Sequence, residues 1–361
     1  MGPQFIAVNP FTRLTVDGTT LEGDALRRWA DALVARHDDD PEGAQALRAT
    51  VLELMRGEGL AVTTSGTTGP PKRITLPVED LVASAELTGR VFGLGVGERV
   101  LHCLPGAFVA GKLMLVRAFV LGLDLHVISA RGSVLAKLDR QDRFRFAAMV
   151  PLQLARALDE DPARVEDLFH TVLLGGGPVS EALEKRVADL RTEVFLGYGS
   201  TETVTHVAVR RLNGPDASPV FTAVGDCHFA RDPRGCLVIY TPHLSTFQQV
   251  TNDLVELVDD THFRWLGRHD NVILSGGRKV HPEQLEARTT ALIDEPHYFS
   301  GTPDALLGQA VVLTIETDRP QEEVVPAVMA RLLLVLHPHE MPRHIRTLPR
   351  LERTVSGKIR R

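Results

Sequence analysis

From Arg99 to Tyr198 the chain alternates short apolar runs with longer stretches of helical periodicity, the rhythm of crossover connections in a parallel sheet. The pattern predicts strands over 100–104, 123–129, 146–150, 171–174 and 193–196, with helices over 111–122, 152–158 and 181–190 between them. Ser180 is placed to cap the last of these helices. Beyond Gly199 the texture changes to short strands over 236–241, 253–259 and 262–266, separated by turn residues, so an antiparallel section is expected to follow the parallel one. Residues 267–271 punctuate the chain, and the stretch after them is long enough for a small domain with its own core. There Pro282 opens a helix, 310–315 reads as a strand, 321–336 as a second helix and 344–348 as a last strand. The expected class is therefore α/β. A large N-terminal domain over 1–268 combines parallel-sheet α/β layers with an antiparallel β section, and a small mobile α+β C-terminal domain spans 269–361. The first 60 residues are the least informative part.

Composition narrows the function classes more than the fold. With 40 Lys plus Arg against 46 Asp plus Glu, the net charge of −6 offers no basic field for a phosphate backbone, so no nucleic-acid partner is expected. Cys103, Cys227 and Cys236 form no CxxC pair and read as buried thiols, neither a disulfide framework nor a zinc knuckle. The apolar runs over 113–125 and 324–336 are interrupted by charges and too short for a membrane span. No secretory leader is apparent at Met1–Phe5, so a cytoplasmic location is expected. Oligomeric state stays open, homo-oligomer included.

Residues 63–72 pack hydroxyls, glycines and one lysine into a turn directly after the apolar pair Ala61 and Val62. Glycines let backbone amides converge on phosphate oxygens, hydroxyls add donors, and Lys72 adds a point charge. A Walker loop does not fit: with Gly66 six residues before Lys72, Pro71 fills the second glycine position. A second glycine cluster, Gly175, Gly176 and Gly177, ends a predicted strand. It suits either a flat base lying against bare backbone or a tight strand-to-helix turn.

The stretch from Thr64 to Lys72 resembles the TSGTTGxPK signature of the adenylate-forming enzymes: acyl- and aryl-CoA ligases, peptide-synthetase adenylation domains and luciferases. Further residues resemble that family's motifs in the same order: Tyr198 to Glu202 (YGxTE), Asp253 with Asn252 in place of the usual glycine (TGD), 267–286 (hinge and following loop), and 354–361 (terminal glycine-lysine element). The resemblance implies ATP, Mg2+ and coenzyme A as cofactors and a small-molecule carboxylic acid as partner. It places Thr64, Ser65, Gly66, Thr67, Thr68, Gly69 and Lys72 on the ATP phosphates, Gly175, Gly176, Gly177, Tyr198 and Gly199 around adenine, and Asp253 and Arg268 on ribose. Thr201 would meet the α-phosphate, Glu202 would hold Mg2+, and Lys358 would carry adenylation. Asp270 falls at the hinge, and Gly276 and Gly277 would line the CoA tunnel, where a Cβ would obstruct the thiol.

Within the family, residues 104–105, 110–117, 203–208 and 270–277 are similar to short o-succinylbenzoate-CoA ligases of menaquinone biosynthesis, with an N-terminally reduced first domain. A dicarboxylic aromatic acid needs an apolar slot and a cation for the carboxylate that does not react. Phe108 is assigned to the ring wall, with Lys112 and His206 as carboxylate partners; Arg117 follows Lys112 on the predicted helix. Two alternatives stay open: a CoA ligase for another aromatic or medium-chain acid, and a non-catalytic adenylate-binding regulatory module.

Overall fold

A computed structural model of the chain describes residues 9–63, 72–353 and 359–361. Five strands, Arg99–His102, Asp124–Val127, Phe144–Met149, Phe169–Leu174 and Glu193–Gly199, pair in parallel at the centre of a thirteen-stranded sheet. They are short and largely apolar because helices cover both faces of the sheet, which leaves few positions open to water. One face carries the helices Gly23–Arg36, Pro41–Leu54, Val78–Phe92 and Val109–Leu121, the other Pro151–Glu160, Pro162–Leu168 and Glu181–Val187, each over its own apolar core.

The predicted strands and helices of this half are present, with ends shifted by a few residues. Ser180 caps the last helix, its Oγ accepting the Leu183 N–H at 3.2 Å. Val109–Leu121 is apolar on all sides, as a helix trapped between the sheet and Val78–Phe92 must be. It ends at Gly122, whose left-handed φ of +64° a side chain would disfavour.

Past Gly199 the same sheet continues in antiparallel fashion through His206–Arg211, Phe221–Ala223, His262–Arg268, Gln248–Leu257, Cys236–Tyr240 and His228–Arg231, in that spatial order. Sequence patterning finds half of these strands. His206–Arg211 ends in two arginines and Phe221–Ala223 has only three residues, so neither shows a clean alternation. Gln248–Leu257 starts five residues before its predicted limit, because its first turn is polar and its strand character comes from pairing.

From Ile273 onward a separate five-stranded sheet, backed by Pro282–Thr289 and Gln321–Leu332, encloses its own apolar core around Phe299, Leu313 and Ile315. The helix expected over 321–336 stops at Leu332, and Leu333 and Leu334 are exposed beyond its end. All three cysteines are free and buried. Among the described residues no helix is long and apolar enough to cross a membrane.

Candidate active site

Ligands of open parallel sheets collect at the carboxyl ends of the strands, and here those ends carry the predicted chemistry. Gly175–Gly177 follow Phe169–Leu174, and Tyr198 and Gly199 end the neighbouring parallel strand Glu193–Gly199. A Cβ on Gly175 or Gly177 would meet no atom within 4 Å, so protein packing does not require glycine there and the space beside both is open. Gly176 has φ +78°, a conformation that side chains disfavour. At Gly199 the reason is contact: a Cβ would lie 2.2 Å from the Thr205 carbonyl oxygen.

Tyr198 donates its phenolic hydrogen to Asp253 Oδ2 at 2.6 Å. Arg268, the direct cross-strand partner of Asp253, brings Nη1 to 3.7 Å from Oδ1. The Tyr198 ring stands edge-on to Phe263 and Phe221. Burial, reinforced by the Asp253 carboxylate, raises the phenol well above its ordinary pKa and keeps it a donor. Arg268 also reaches Asp270 Oδ2 at 3.1 Å, as does the Asn252 amide. Asn252 is held in turn by Arg234, whose Nη1 donates to its Oδ1 at 2.9 Å. Tyr198, Asp253, Arg268 and Asp270 thus form one polar cluster, although the sequence spreads them over more than seventy positions.

The turn after Gly199 is tightly built. Thr203 Oγ1 accepts the Ser200 N–H at 2.8 Å, and the Thr205 N–H reaches back to the Thr203 carbonyl at 2.6 Å across Val204, whose φ is +61°. Positive φ at a β-branched residue costs of order 1–3 kcal/mol and persists where surrounding structure enforces it. The turn presents Thr201 half-buried and Glu202 exposed. The Glu202 carboxylate makes no hydrogen bond or ion pair among the described residues, so it is available to a hard cation.

The predicted phosphate loop is carried by a two-stranded hairpin, Leu60–Thr63 with Arg73–Leu76. Ala61 is fastened on both sides: its N–H donates to Glu53 Oε1 at 2.7 Å, and its carbonyl accepts from Lys112 Nζ at 2.7 Å. Because Lys112 lies in the first turn of Val109–Leu121, this anchors the hairpin at the carboxyl edge of the sheet. The Lys112 ammonium therefore supports the loop's base, and burial lowers its pKa. Thr64, Ser65, Gly66, Thr67, Thr68 and Gly69 lie outside the described residues, and Lys72 is exposed at the loop's end. Lys358 also lies outside them; its flanks pair as Arg353 with Ile359. Gly276 and Gly277, at φ +58° and +77°, form the two-residue turn of the hairpin Ile273–Ser275 with Arg278–Val280. A two-residue hairpin turn with both φ positive favours glycine by itself, with asparagine the next residue it accepts.

Beneath the Gly199–Thr205 turn lies a buried polar chain that the sequence reading assembled only in part. Arg117 is 5% exposed; its Nε donates to Thr88 Oγ1 at 3.2 Å and its Nη2 to Thr205 Oγ1 at 2.8 Å. No carboxylate among the described residues pairs with it, and desolvation lowers the guanidinium pKa to about 10. Thr205 Oγ1 lies 3.0 Å from His206 Nδ1. That hydroxyl also accepts from Arg117 and so bridges the guanidinium to the ring, whose Nε2 is buried without a hydrogen-bond partner among the described residues. Burial, with Arg117 adding to it, holds the His206 pKa near 3, so the ring is neutral. The available sequence signal for Arg117 was a cation in the middle of a helix that is otherwise apolar beyond Lys112 in its first turn. Phe108, half-buried, is the N-cap of that helix.

A carboxylate and an arginine paired across two strands, an aromatic hydroxyl on that carboxylate, bare glycine backbone beside them and an uncommitted glutamate together define a nucleotide-binding α/β enzyme. The chain belongs to the AMP-binding enzyme family, the adenylate-forming superfamily, whose match runs over residues 60–228. It is 32% identical over 326 residues to the probable 2-succinylbenzoate–CoA ligase of Mycobacterium tuberculosis, spanning 84% of this chain and 82% of that protein. The 2-succinylbenzoate–CoA ligase of Bacillus subtilis is 24% identical over 357 residues, 89% of this chain and 71% of its own. Among solved structures, an acyl-CoA synthetase (AMP-forming)/AMP-acid ligase II-like protein from Dyadobacter fermentans is 37% identical with a TM-score of 0.57, covering 88% of this chain and 91% of that one. The o-succinylbenzoate CoA synthetase of B. subtilis, in complex with the acyl-adenylate intermediate OSB-AMP, superposes with a TM-score of 0.78 over 98% of this chain and 95% of its own, at 18% identity, and so shares the fold.

Proposed function

We propose that the chain is an AMP-forming acid–CoA ligase and that its acid is o-succinylbenzoate. In the first half-reaction a carboxylate oxygen attacks the α-phosphorus of ATP and pyrophosphate leaves. In the second, the CoA thiol attacks the acyl carbon, AMP leaves, and a thioester remains. The observation that carries this reading is the Tyr198–Asp253–Arg268 cluster beside the open space at Gly175–Gly177, which suits a ribose and a base. Gly199 closes the strand end, Thr201 lies toward the α-phosphate, and Lys72 with the loop from Thr64 to Gly69 meets the outer phosphates. The exposed, uncommitted Glu202 fits the donor type Mg2+ prefers; the ion would neutralise phosphate charge during transfer.

Residues 1–268 then bind ATP and acid, while 269–361, turning at Asp270, present Lys358 for adenylation and Gly276–Gly277 for CoA transfer. A positioned ammonium stabilises the charge that grows on phosphate oxygens. Closure of the small domain would keep water from the mixed anhydride. Reduced, buried cysteines and the use of ATP and CoA support a cytoplasmic reaction.

The acid's identity rests on Arg117 and His206. A buried guanidinium with no carboxylate partner among the described residues, joined through Thr205 to an imidazole whose Nε2 is unpartnered there, supports recognition of a second carboxylate. Phe108 would flank the ring, and Lys112 acts through the phosphate loop it anchors. A coupled pyrophosphate assay over aromatic and fatty acids tests both levels. o-Succinylbenzoate should give the highest kcat/KM; a better monocarboxylic acid would overturn the substrate, and no release with any acid would overturn the enzyme.

A further inference from the structure

Two turns outside the nucleotide cluster bring three different metal-ligating side chains together. Asp226 and Cys227 lie in the turn between Phe221–Ala223 and His228–Arg231, and His243 lies in the turn after Cys236–Tyr240. The Asp226 carboxylate, the Cys227 sulfur and a His243 ring nitrogen each offer one donor atom, all within 4.8 Å of one another. His243 Nδ1 is already 2.9 Å from Asp226 Oδ1.

Both turns are held from outside the cluster. The Cys227 N–H donates to the Val224 carbonyl at 3.2 Å and the Leu244 N–H to the Thr241 carbonyl at 3.0 Å. Gly225, at φ +59°, packs so tightly on Leu87 that a Cβ would lie 2.5 Å from its Cδ1. His228 stacks on Tyr240 with ring centroids 4.7 Å apart and brings Nδ1 to 3.4 Å from the Asp226 carbonyl. Cys227 is 1% exposed within the apolar cluster of Val224, Phe229, Leu237 and Ile239, whereas the Asp226 side chain opens to solvent.

We propose that Asp226, Cys227 and His243 bind a zinc-class divalent cation that ties the two turns together, with the fourth position facing water on the Asp226 side. Thiolate, imidazole and carboxylate are the donors such an ion takes in tetrahedral sites, whereas Mg2+ and Ca2+ prefer oxygen alone. Bond lengths of that class place neighbouring donors roughly 3.3–3.6 Å apart. With donors now up to 4.8 Å apart, the site needs a closure of at most about 1.5 Å on the side of the Cys227 sulfur. The cation would displace the thiol proton and take the lone pair of a neutral imidazole nitrogen, joining two chain segments through bonds to three side chains. The inference stands apart from the ligase reading, since none of the three residues belongs to the nucleotide cluster.

The test is titration of the whole chain with Co2+, without nucleotide. One equivalent should produce a near-ultraviolet thiolate-to-cobalt band and tetrahedral visible bands, and Zn2+ should abolish both by competition. Glu202 has no sulfur and cannot produce the thiolate band. Cys227→Ser should remove it, and His243→Gln should weaken binding roughly tenfold or more. Absence of a thiolate band in the parent chain would overturn the proposal, as would a band that survives in Cys227→Ser, because another sulfur would then be the ligand. If Cys227→Ser does not fold by circular dichroism, His243→Gln at its partly exposed position decides: unchanged affinity overturns the site.

Discussion

Replacing Arg117 with Met should make the protein more stable and a worse ligase, but only for acids with a second carboxylate. The guanidinium is buried with no carboxylate partner among the described residues, and desolvation moves its pKa from 12.5 to about 10. At about 1.4 kcal/mol per pH unit, that displacement represents roughly 3 kcal/mol of charge burial. Methionine has comparable length and no charge to desolvate. The two hydroxyls it would abandon keep partners, because Thr88 Oγ1 donates to the Ser84 carbonyl at 3.0 Å and Thr205 Oγ1 remains 3.0 Å from His206 Nδ1. Urea unfolding should therefore show a gain of about 1–3 kcal/mol at neutral pH. In turnover the same change removes a charge-assisted hydrogen bond worth about 1.5–3 kcal/mol, a loss of roughly ten- to 150-fold in kcat/KM for o-succinylbenzoate. An aromatic monocarboxylic acid should lose almost nothing. A variant that unfolds more easily, or that loses activity equally with both acids, would mean that Arg117 serves packing and would refute its assignment to the substrate.

Lys358→Ala should lower acid-dependent pyrophosphate release by about 10²- to 10³-fold while leaving thioester formation from supplied acyl-adenylate intact; equal loss in both would remove its assignment to one half-reaction. Gly277→Asn keeps a residue that tolerates φ +77° but adds a side chain, so pyrophosphate release should persist while CoA transfer falls. Normal transfer in that variant would contradict the tunnel. His206, held near pKa 3, refuses below pH 6.5 the proton that the unfolded chain accepts, so folding stability falls with pH through that range. Between pH 7.5 and 5.5 this linkage costs about 1.4 kcal/mol, and His206→Gln should lose that much less than the parent. Parallel stability curves would show the ring to be solvated.

What could be read from the sequence divides along physical lines. The parallel half was legible because strands buried on both faces are continuous apolar runs, and the helices between them carry caps such as Ser180. His206–Arg211 and Phe221–Ala223 were not, because their strand character comes from neighbours rather than from alternation. At the site, glycine and hydroxyl motifs announced themselves, whereas Lys112 and Arg117 carry no local mark that separates loop anchor from buried counter-charge. Only their packing does: one ammonium reaches the Ala61 carbonyl, and the other cation is enclosed between Thr88 and Thr205. Gly276 and Gly277 are the reverse case, a motif whose hairpin geometry already accounts for both glycines.

The meeting of Tyr198 with Asp253 follows from the sheet's curvature rather than from any motif. Their strands are separated by four steps across the sheet, Glu193–Gly199 to His206–Arg211, Phe221–Ala223, His262–Arg268 and then Gln248–Leu257. At about 4.8 Å per step a flat sheet would hold them roughly 19 Å apart, beyond the combined reach of the two side chains. The observed 2.6 Å therefore requires the antiparallel half to curl over, and the packing of Phe263 against Tyr198, Phe221 and Phe229 fills the inside of that curl. Register does the rest. Asp253 faces Arg268 directly across the pair, and a slip of one residue would turn the carboxylate to the opposite face and separate it from both the arginine and the phenol. The proposed ribose site is thus a property of two strand registers and one apolar core, so a mutation that loosens Phe263 should weaken ATP binding without replacing any residue proposed to contact the nucleotide.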